Sequence, residues 1–263
     1  MDCDMARNPD RDGQLDEALA ESFPASDPVA FVSTAIATLA PITDAPMKKA
    51  DKDTRHKLYG AKGGGSMIVE AAFAFADLPV EIIDLEWDDT GWESKTLKEL
   101  NPLGQVPTLI LPNGQVMTES AAIILHLADA ARAFALVPSS SDEHRPAFLR
   151  WLVFLVAAVY PTYTYGDTPG RWVGGGAKEG AGKLLREATD EHRKKLWRYV
   201  EGQISGPWFL GEKMSALDVY VWVMSFWRPG KDWLAVETPK LCAIAEAMRK
   251  QPICKKIAAR NGL

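Results

Sequence analysis

Asn101–Asp129, NPLGQVPTLILPNGQVMTESAAIILHLAD, reads as a strand, a turn, a second strand and a helix in immediate succession. Thr108–Leu111 is a short apolar run rich in β-formers, and Asn113-Gly114 is the dipeptide favoured by a tight type I′ hairpin. Val116-Met117 supplies the antiparallel return strand. Pro107 stands just before the first strand, where a missing N–H is tolerated. Thr118 or Ser120 can then cap a helix whose Ala122, Ile123, Leu125 and Leu127 suit a core-facing stripe. Such a chain leaves free backbone groups beside Val106 and a helix N-terminus at Glu119–Ser120, both directed at one spot. That arrangement is a site for a small extended ligand.

Upstream, Lys57–Gly60 reads as a strand, Gly63-Gly64-Gly65 as a loop, and Ser66 to about Ala76 as a helix. Pro79–Leu85 is a second strand, parallel to the first because a helix joins them. Asp88–Leu100 is a polar connection with a helical turn or two. After the polar linker 132–144 the pattern becomes wholly helical, over Arg145–Val159, Lys178–Ile204, Ala216–Trp227, Pro239–Lys250 and a last short segment. Ser215 and Asp218 form a capping-box-like helix start, flanked by Met214 and Val219 as a hydrophobic staple.

A chain of 263 residues, 47% hydrophobic and 25% charged, is long enough for one large or two small cores. Residues 1–56 carry 11 acidic and 6 basic side chains, which accounts for the whole formal charge of −5. With Asp, Pro, Ala and Ser prominent and little periodicity, that stretch reads as a mostly disordered acidic extension. The neutral body offers no basic face for nucleic acid. Three scattered cysteines (Cys3, Cys242 and Cys254) form neither a disulfide framework nor a metal-ligand cluster. The apolar run Phe31–Ala40 is too short to span a bilayer, so a cytoplasmic protein without a membrane partner is expected.

The segment around Val106-Pro107 and Glu119-Ser120 resembles the glutathione-binding half of the cytosolic glutathione S-transferases, particularly the bacterial beta-like members. More weakly, the similarity runs from Lys57 to Leu263. The resemblance implies an α/β thioredoxin-like domain over residues 57–133, followed by an all-α helical-bundle domain over 142–263. It implies a cis bond before Pro107, with Val106 pairing its backbone with the cysteinyl part of glutathione. Glu119 and Ser120 would hold the γ-glutamyl end, and Gln105 the glycyl carboxylate. Lys62, Lys95 and Lys98 are available to balance the charge of the anionic ligand.

The chemistry such a protein needs is a stabilised thiolate. A thiol with a pKa of about 8.5 is only a few per cent ionised at neutral pH, and the thiolate is the nucleophile. A hydroxyl donor at a helix N-terminus favours the anion, and Ser66 after the triple glycine offers both. The alternative role for Ser66 is plain helix capping. Beta-like transferases commonly carry cysteine at the position aligning with Gly65, so a mixed disulfide there is excluded. Aligned on Trp151, their fourth-helix histidine corresponds to Tyr160 and the following lysine to Pro161. Tyr160 is therefore a second hydroxyl candidate, or a packing residue. The loop lacks the Gly-Lys-Ser/Thr ending of a nucleotide phosphate loop.

Tyr160, Tyr163 and Trp172 form an aromatic run suited either to a flat apolar second substrate or to the interdomain core. The expected activity is conjugation of glutathione, as co-substrate and without metal, to a hydrophobic electrophile, by a homodimer. A lyase, dehalogenase or peroxidase of the same fold, or a non-catalytic binding module, are the alternatives.

Overall fold

The computed structural model describes residues 55–86, 94–131, 135–174 and 180–263. The acidic extension expected over 1–56 lies, except for its last two residues, outside them. β1 (His56–Gly60), α1 (Ser66–Phe75) and β2 (Val80–Asp84) form a βαβ unit with parallel strands, Leu58 opposite Ile82. A short α2 (Lys95–Leu100) leads to β3 (Thr108–Ile110) and β4 (Val116–Thr118), an antiparallel hairpin. β3 lies against β1 with Leu109 opposite Leu58, giving the sheet order β2-β1-β3-β4. This is the thioredoxin-like order. α1 is buried from Ser66 to Phe73, as befits a helix apolar but for Ser66 and Glu70 and enclosed on several sides.

The hairpin differs from the type I′ expectation. Gly114 has φ 86°, whereas Asn113 is not left-handed. The Gly114 N–H donates to the Leu111 carbonyl at 2.8 Å, so the turn begins one residue earlier, with Pro112 at its first central position. Proline's fixed φ suits that position of a type I turn, and the left-handed residue then falls on the glycine. α3 (Ser120–Ala130) starts after Glu119, and no side chain caps it, neither Thr118 nor Ser120.

From Arg145 the chain is helical. α4 (Arg145–Phe154) runs through a π-helical turn (Leu155–Val159) into α5 (Tyr160–Asp167), so no break follows Val159. Pro161 accounts for the widened turn. It has no N–H for an α-helical bond, and its ring would press on the carbonyl of the preceding turn. The Tyr160 N–H instead donates five residues back, to Leu155. By length and composition this run could cross a membrane, but Phe148, Trp151, Leu152, Leu155, Val159 and Tyr163 sit in the protein core.

A 3-10 turn (Pro169–Arg171), α6 (Ala181–Glu201), α7 (Ala216–Met224), α8 (Lys231–Glu237), α9 (Pro239–Lys250) and α10 (Pro252–Arg260) complete the chain. Every residue of α7 is buried. Its start is the expected capping box: Ser215 Oγ accepts from the Leu217 N–H, and Asp218 Oδ2 accepts from the Ser215 N–H at 2.7 Å. Asp218 Oδ1 also takes the Phe209 N–H at 2.8 Å, tying the preceding loop to the helix. Trp197 and Trp222 are core residues, and Trp208 packs against the core from a partly buried position.

Candidate functional site

Between β1 and α1 the chain makes a tight loop, and Ser66 closes it from beneath. Its Oγ accepts the Ala61 N–H and donates to the Ala61 carbonyl, both at 3.1 Å. A Cβ on Gly60 would lie 2.6 Å from that Oγ, so only glycine lets the serine come this close. Ser66 is 5% exposed and lines neither of the clefts described below. Its hydroxyl therefore faces the loop interior. The backbone N–H groups of Gly65 and Ser66, at the helix start, have no acceptor among the described residues. Unpaired amides at the first turn of a helix carry its positive end.

Tyr160 reaches this loop from the other side. A Cβ on Gly65 would fall on the Tyr160 hydroxyl and only 3.0 Å from its Cζ. The phenol thus fills the space that a larger side chain at position 65 would take. Edge-to-face contacts with Trp227 at 5.6 Å and Tyr163 at 6.4 Å fix the ring. The hydroxyl has no hydrogen-bond partner among the described residues. Burial, with a contribution from the Asp167 charge, pushes its pKa up to about 12, so it remains a proton donor at any ordinary pH. The π turn before Pro161 sets the rotation of α5, and hence where this ring points.

The hairpin forms the opposite wall. The Val106-Pro107 bond is cis. Asn101, which sequence reading passed over, braces this loop. Its Nδ2 donates to the Gln105 carbonyl (3.0 Å) and to Thr108 Oγ1 (3.2 Å), while its Oδ1 accepts the Leu103 N–H (3.1 Å). The Val106 N–H and C=O have no partner among the described residues. Glu119 is exposed and adopts φ 63°, a left-handed conformation rare for a side chain of this kind. Ser120 beside it hydrogen-bonds the Tyr220 hydroxyl at 2.7 Å, a link to the buried α7.

Gln105, Val106, Pro107, Glu119 and Ser120 line a cleft of about 480 Å³, with Tyr160, Tyr165 and Trp172 across from them. A second cleft of about 410 Å³ adjoins it, over Gly63–Gly65 and between Tyr160, Tyr163, Trp172 and Trp227. Tyr160, Thr164, Thr168, Arg171 and Trp172 border both. Tyr160 therefore stands at their junction. Tyr163 is 3% exposed, its hydroxyl accepting from Trp197 Nε1 and its ring stacked 3.9 Å from the Arg193 guanidinium. Trp172 is 41% exposed. Among the described residues no group of three His, Cys, Asp or Glu side chains could hold a metal. Lys62 pairs with Asp84 at 3.8 Å.

A thioredoxin-like sheet joined to a helical bundle, with a cleft between the cis-proline hairpin and α5, defines a transferase-type architecture. The family model described as glutathione S-transferase, N-terminal domain, matches residues 66–130. An uncharacterized GST-like protein of Escherichia coli K12, YncG, is 38% identical over 207 residues, covering 78% of this chain and 98% of that protein. The chain belongs to the glutathione S-transferase family. A glutathione transferase homologue from Sulfitobacter, solved with bound glutathione, superposes with a TM-score of 0.69 at 21% identity. That match covers 80% of this chain and all of the other. A beta-class transferase of Sphingomonas chungbukensis gives 0.62 at 23%, over 79% of this chain and 99% of its own.

Proposed function

We propose that the protein is a glutathione transferase that holds glutathione in the larger cleft and an apolar electrophile in the smaller one. The observation that carries this reading is the Tyr160 hydroxyl, unpaired and held against Gly65 at the junction of the two clefts. In this reading Val106 pairs its backbone with the cysteinyl part, Pro107 fixes the bend, and Gln105 takes the glycyl carboxylate. Glu119 meets the γ-glutamyl ammonium and Ser120 its carboxylate. The sulfur then lies beside Tyr160 and the Gly65 and Ser66 amides. A neutral phenol and the positive end of a helix both favour thiolate over thiol. Ser66 contributes its amide to the sulfur, while its hydroxyl keeps the loop closed.

The reaction is attack of the thiolate on an electrophilic carbon. A C–S bond forms, and either the leaving group departs with its electron pair or an activated alkene takes up a proton. Catalysis is stabilisation of the thiolate together with proximity of the two substrates. Tyr163 and Trp172 wall the electrophile's cleft with Trp227. With glycine at position 65, and with Cys254 buried and its thiol pushed up to about 12 by that burial, conjugation is favoured over disulfide exchange.

The test is mass spectrometry of mixtures of the protein, glutathione, and a panel of activated aryl halides and unsaturated carbonyl compounds. The reading predicts enzyme-dependent S-conjugates with at least one of these classes. Peroxide consumption without any conjugate would move the activity to a peroxidase. Absence of glutathione binding by calorimetry would leave a binding or assembly module. Sedimentation equilibrium checks the family's dimeric state for this chain.

A further inference from the structure

Gly63 lies two residues before the proposed sulfur contact, and both polar groups of its backbone are held by the far end of the chain. Its N–H donates to Asn261 Oδ1 at 3.1 Å, and its carbonyl accepts from Trp227 Nε1 at 2.8 Å. Gly63 has φ 70°, a left-handed conformation that leaves its peptide groups pointing out of the loop toward these partners. Neither bond is a product of local sequence, since 198 and 164 residues separate the partners.

Asn261 is itself fixed. It is 7% exposed, and its Nδ2 donates to Glu70 Oε2 at 3.1 Å and to the Ile257 carbonyl at 2.9 Å. Glu70 is a buried carboxylate on α1, one turn beyond Ser66, and its other oxygen pairs with Arg260 Nε at 2.9 Å. Arg260 in turn reaches Asp84 at the end of β2. A buried carboxylate is tolerated only with such partners. The side-chain amide therefore has one permitted orientation: nitrogen toward Glu70, oxygen toward Gly63.

We infer that Asn261 is a positioning residue, which through Gly63 holds the Gly65 and Ser66 amides and the Tyr160 contact in register for the sulfur. This rests on the transferase reading given above. Trp227 serves the same loop from the other side, and it also walls the electrophile's cleft and touches the Tyr160 ring. The C-terminal turn thus belongs to the thiolate site although it lines neither cleft.

The experiment compares wild type, Asn261→Ala and the double variant Glu70→Gln/Asn261→Asp. In the double variant an aspartate oxygen still accepts from Gly63, and the glutamine amide donates between positions 70 and 261, while the bond to the Ile257 carbonyl is not regained. Two quantities are read: hydrogen exchange of the Gly63–Ser66 amides, and the pH midpoint of the bound-glutathione thiolate band. Asn261→Ala is expected to speed loop exchange about two- to tenfold and to raise the midpoint by up to about one pH unit, the worth of one such hydrogen bond. The double variant is expected to restore part of both.

Unchanged exchange in Asn261→Ala refutes the clamp whatever glutathione does. Faster exchange with an unmoved midpoint refutes its link to the sulfur. Faster exchange in a protein whose wild type shows no thiolate band removes the transferase reading, and with it the role of Asn261, while leaving the contact itself.

Discussion

Replacing Tyr160 by phenylalanine removes one oxygen and leaves the ring, with its edge contacts to Trp227 and Tyr163, in place. The hydroxyl is a side-chain donor placed against Gly65, where the sulfur is proposed to lie. A hydrogen bond to a charged acceptor is worth about 1.5–3 kcal/mol. At about 1.4 kcal/mol per pKa unit, its loss raises the pKa of the bound thiol by about one to two units. The sign follows from which form the donor serves. The phenol stabilises the thiolate and not the thiol, so without it the charged form is populated only at higher pH. Tyr160 itself introduces no second limb, because burial holds its pKa near 12 and it stays protonated throughout. The assay is kcat/KM for the electrophile against pH at saturating glutathione, which reads the ionisation of the enzyme-bound thiol. Below the wild-type pKa the variant should fall about 10- to 100-fold below wild type, and the two should converge at pH values above the new pKa. Superimposable profiles would refute the assignment of the phenol to the sulfur.

Three further substitutions probe the same architecture. Gly65→Ala places a methyl on the Tyr160 hydroxyl; it should lower stability by about 1–3 kcal/mol in urea titration and reduce kcat/KM at least as much as loss of the phenol. Stability and activity like wild type would mean that the ring moves aside freely. Ser66→Ala opens the loop by removing both bonds to Ala61, at a cost of about 1–2 kcal/mol, but should move the thiolate midpoint less than Tyr160→Phe does. A larger midpoint shift would return the sulfur contact to the serine hydroxyl. Asp218→Ala strands the Phe209 and Ser215 N–H groups in the core. A loss of about 3 kcal/mol or more is expected in equilibrium unfolding, and a loss under about 1 kcal/mol would show that other acceptors replace the carboxylate.

The order of strands and helices was open to sequence reading wherever a local rule sufficed. The apolar run Thr108–Leu111 with the turn residues after it located the β3–β4 hairpin, and the spacing of Ser215 and Asp218 announced the start of α7. The finer errors were also local. Pro112 moved the hairpin turn by one residue, because a fixed φ outweighs the preference of Asn-Gly for a primed turn. Glu119 took the left-handed position that no propensity assigns to glutamate.

What could not be read was the meeting of distant groups. Ser66 looked like a free hydroxyl at a helix start, but its partner Ala61 lies across a glycine loop whose closure depends on Gly60. Tyr160 had no secure register until the π turn before Pro161 fixed its direction; the proline was the one signal in the sequence. Tyr220, Trp227 and Asn261 act through contacts to loops and helices far along the chain, and residue type alone does not reveal such pairings.

The most direct test of the account is the ultraviolet difference spectrum of glutathione on the wild-type protein, followed against pH. A saturable thiolate band with its midpoint at least about one unit below the value of about 8.5 for a free thiol is the predicted result. Saturable binding with the midpoint left at the free value would contradict the proposal that Tyr160 and the Gly65 amide stabilise the bound sulfur.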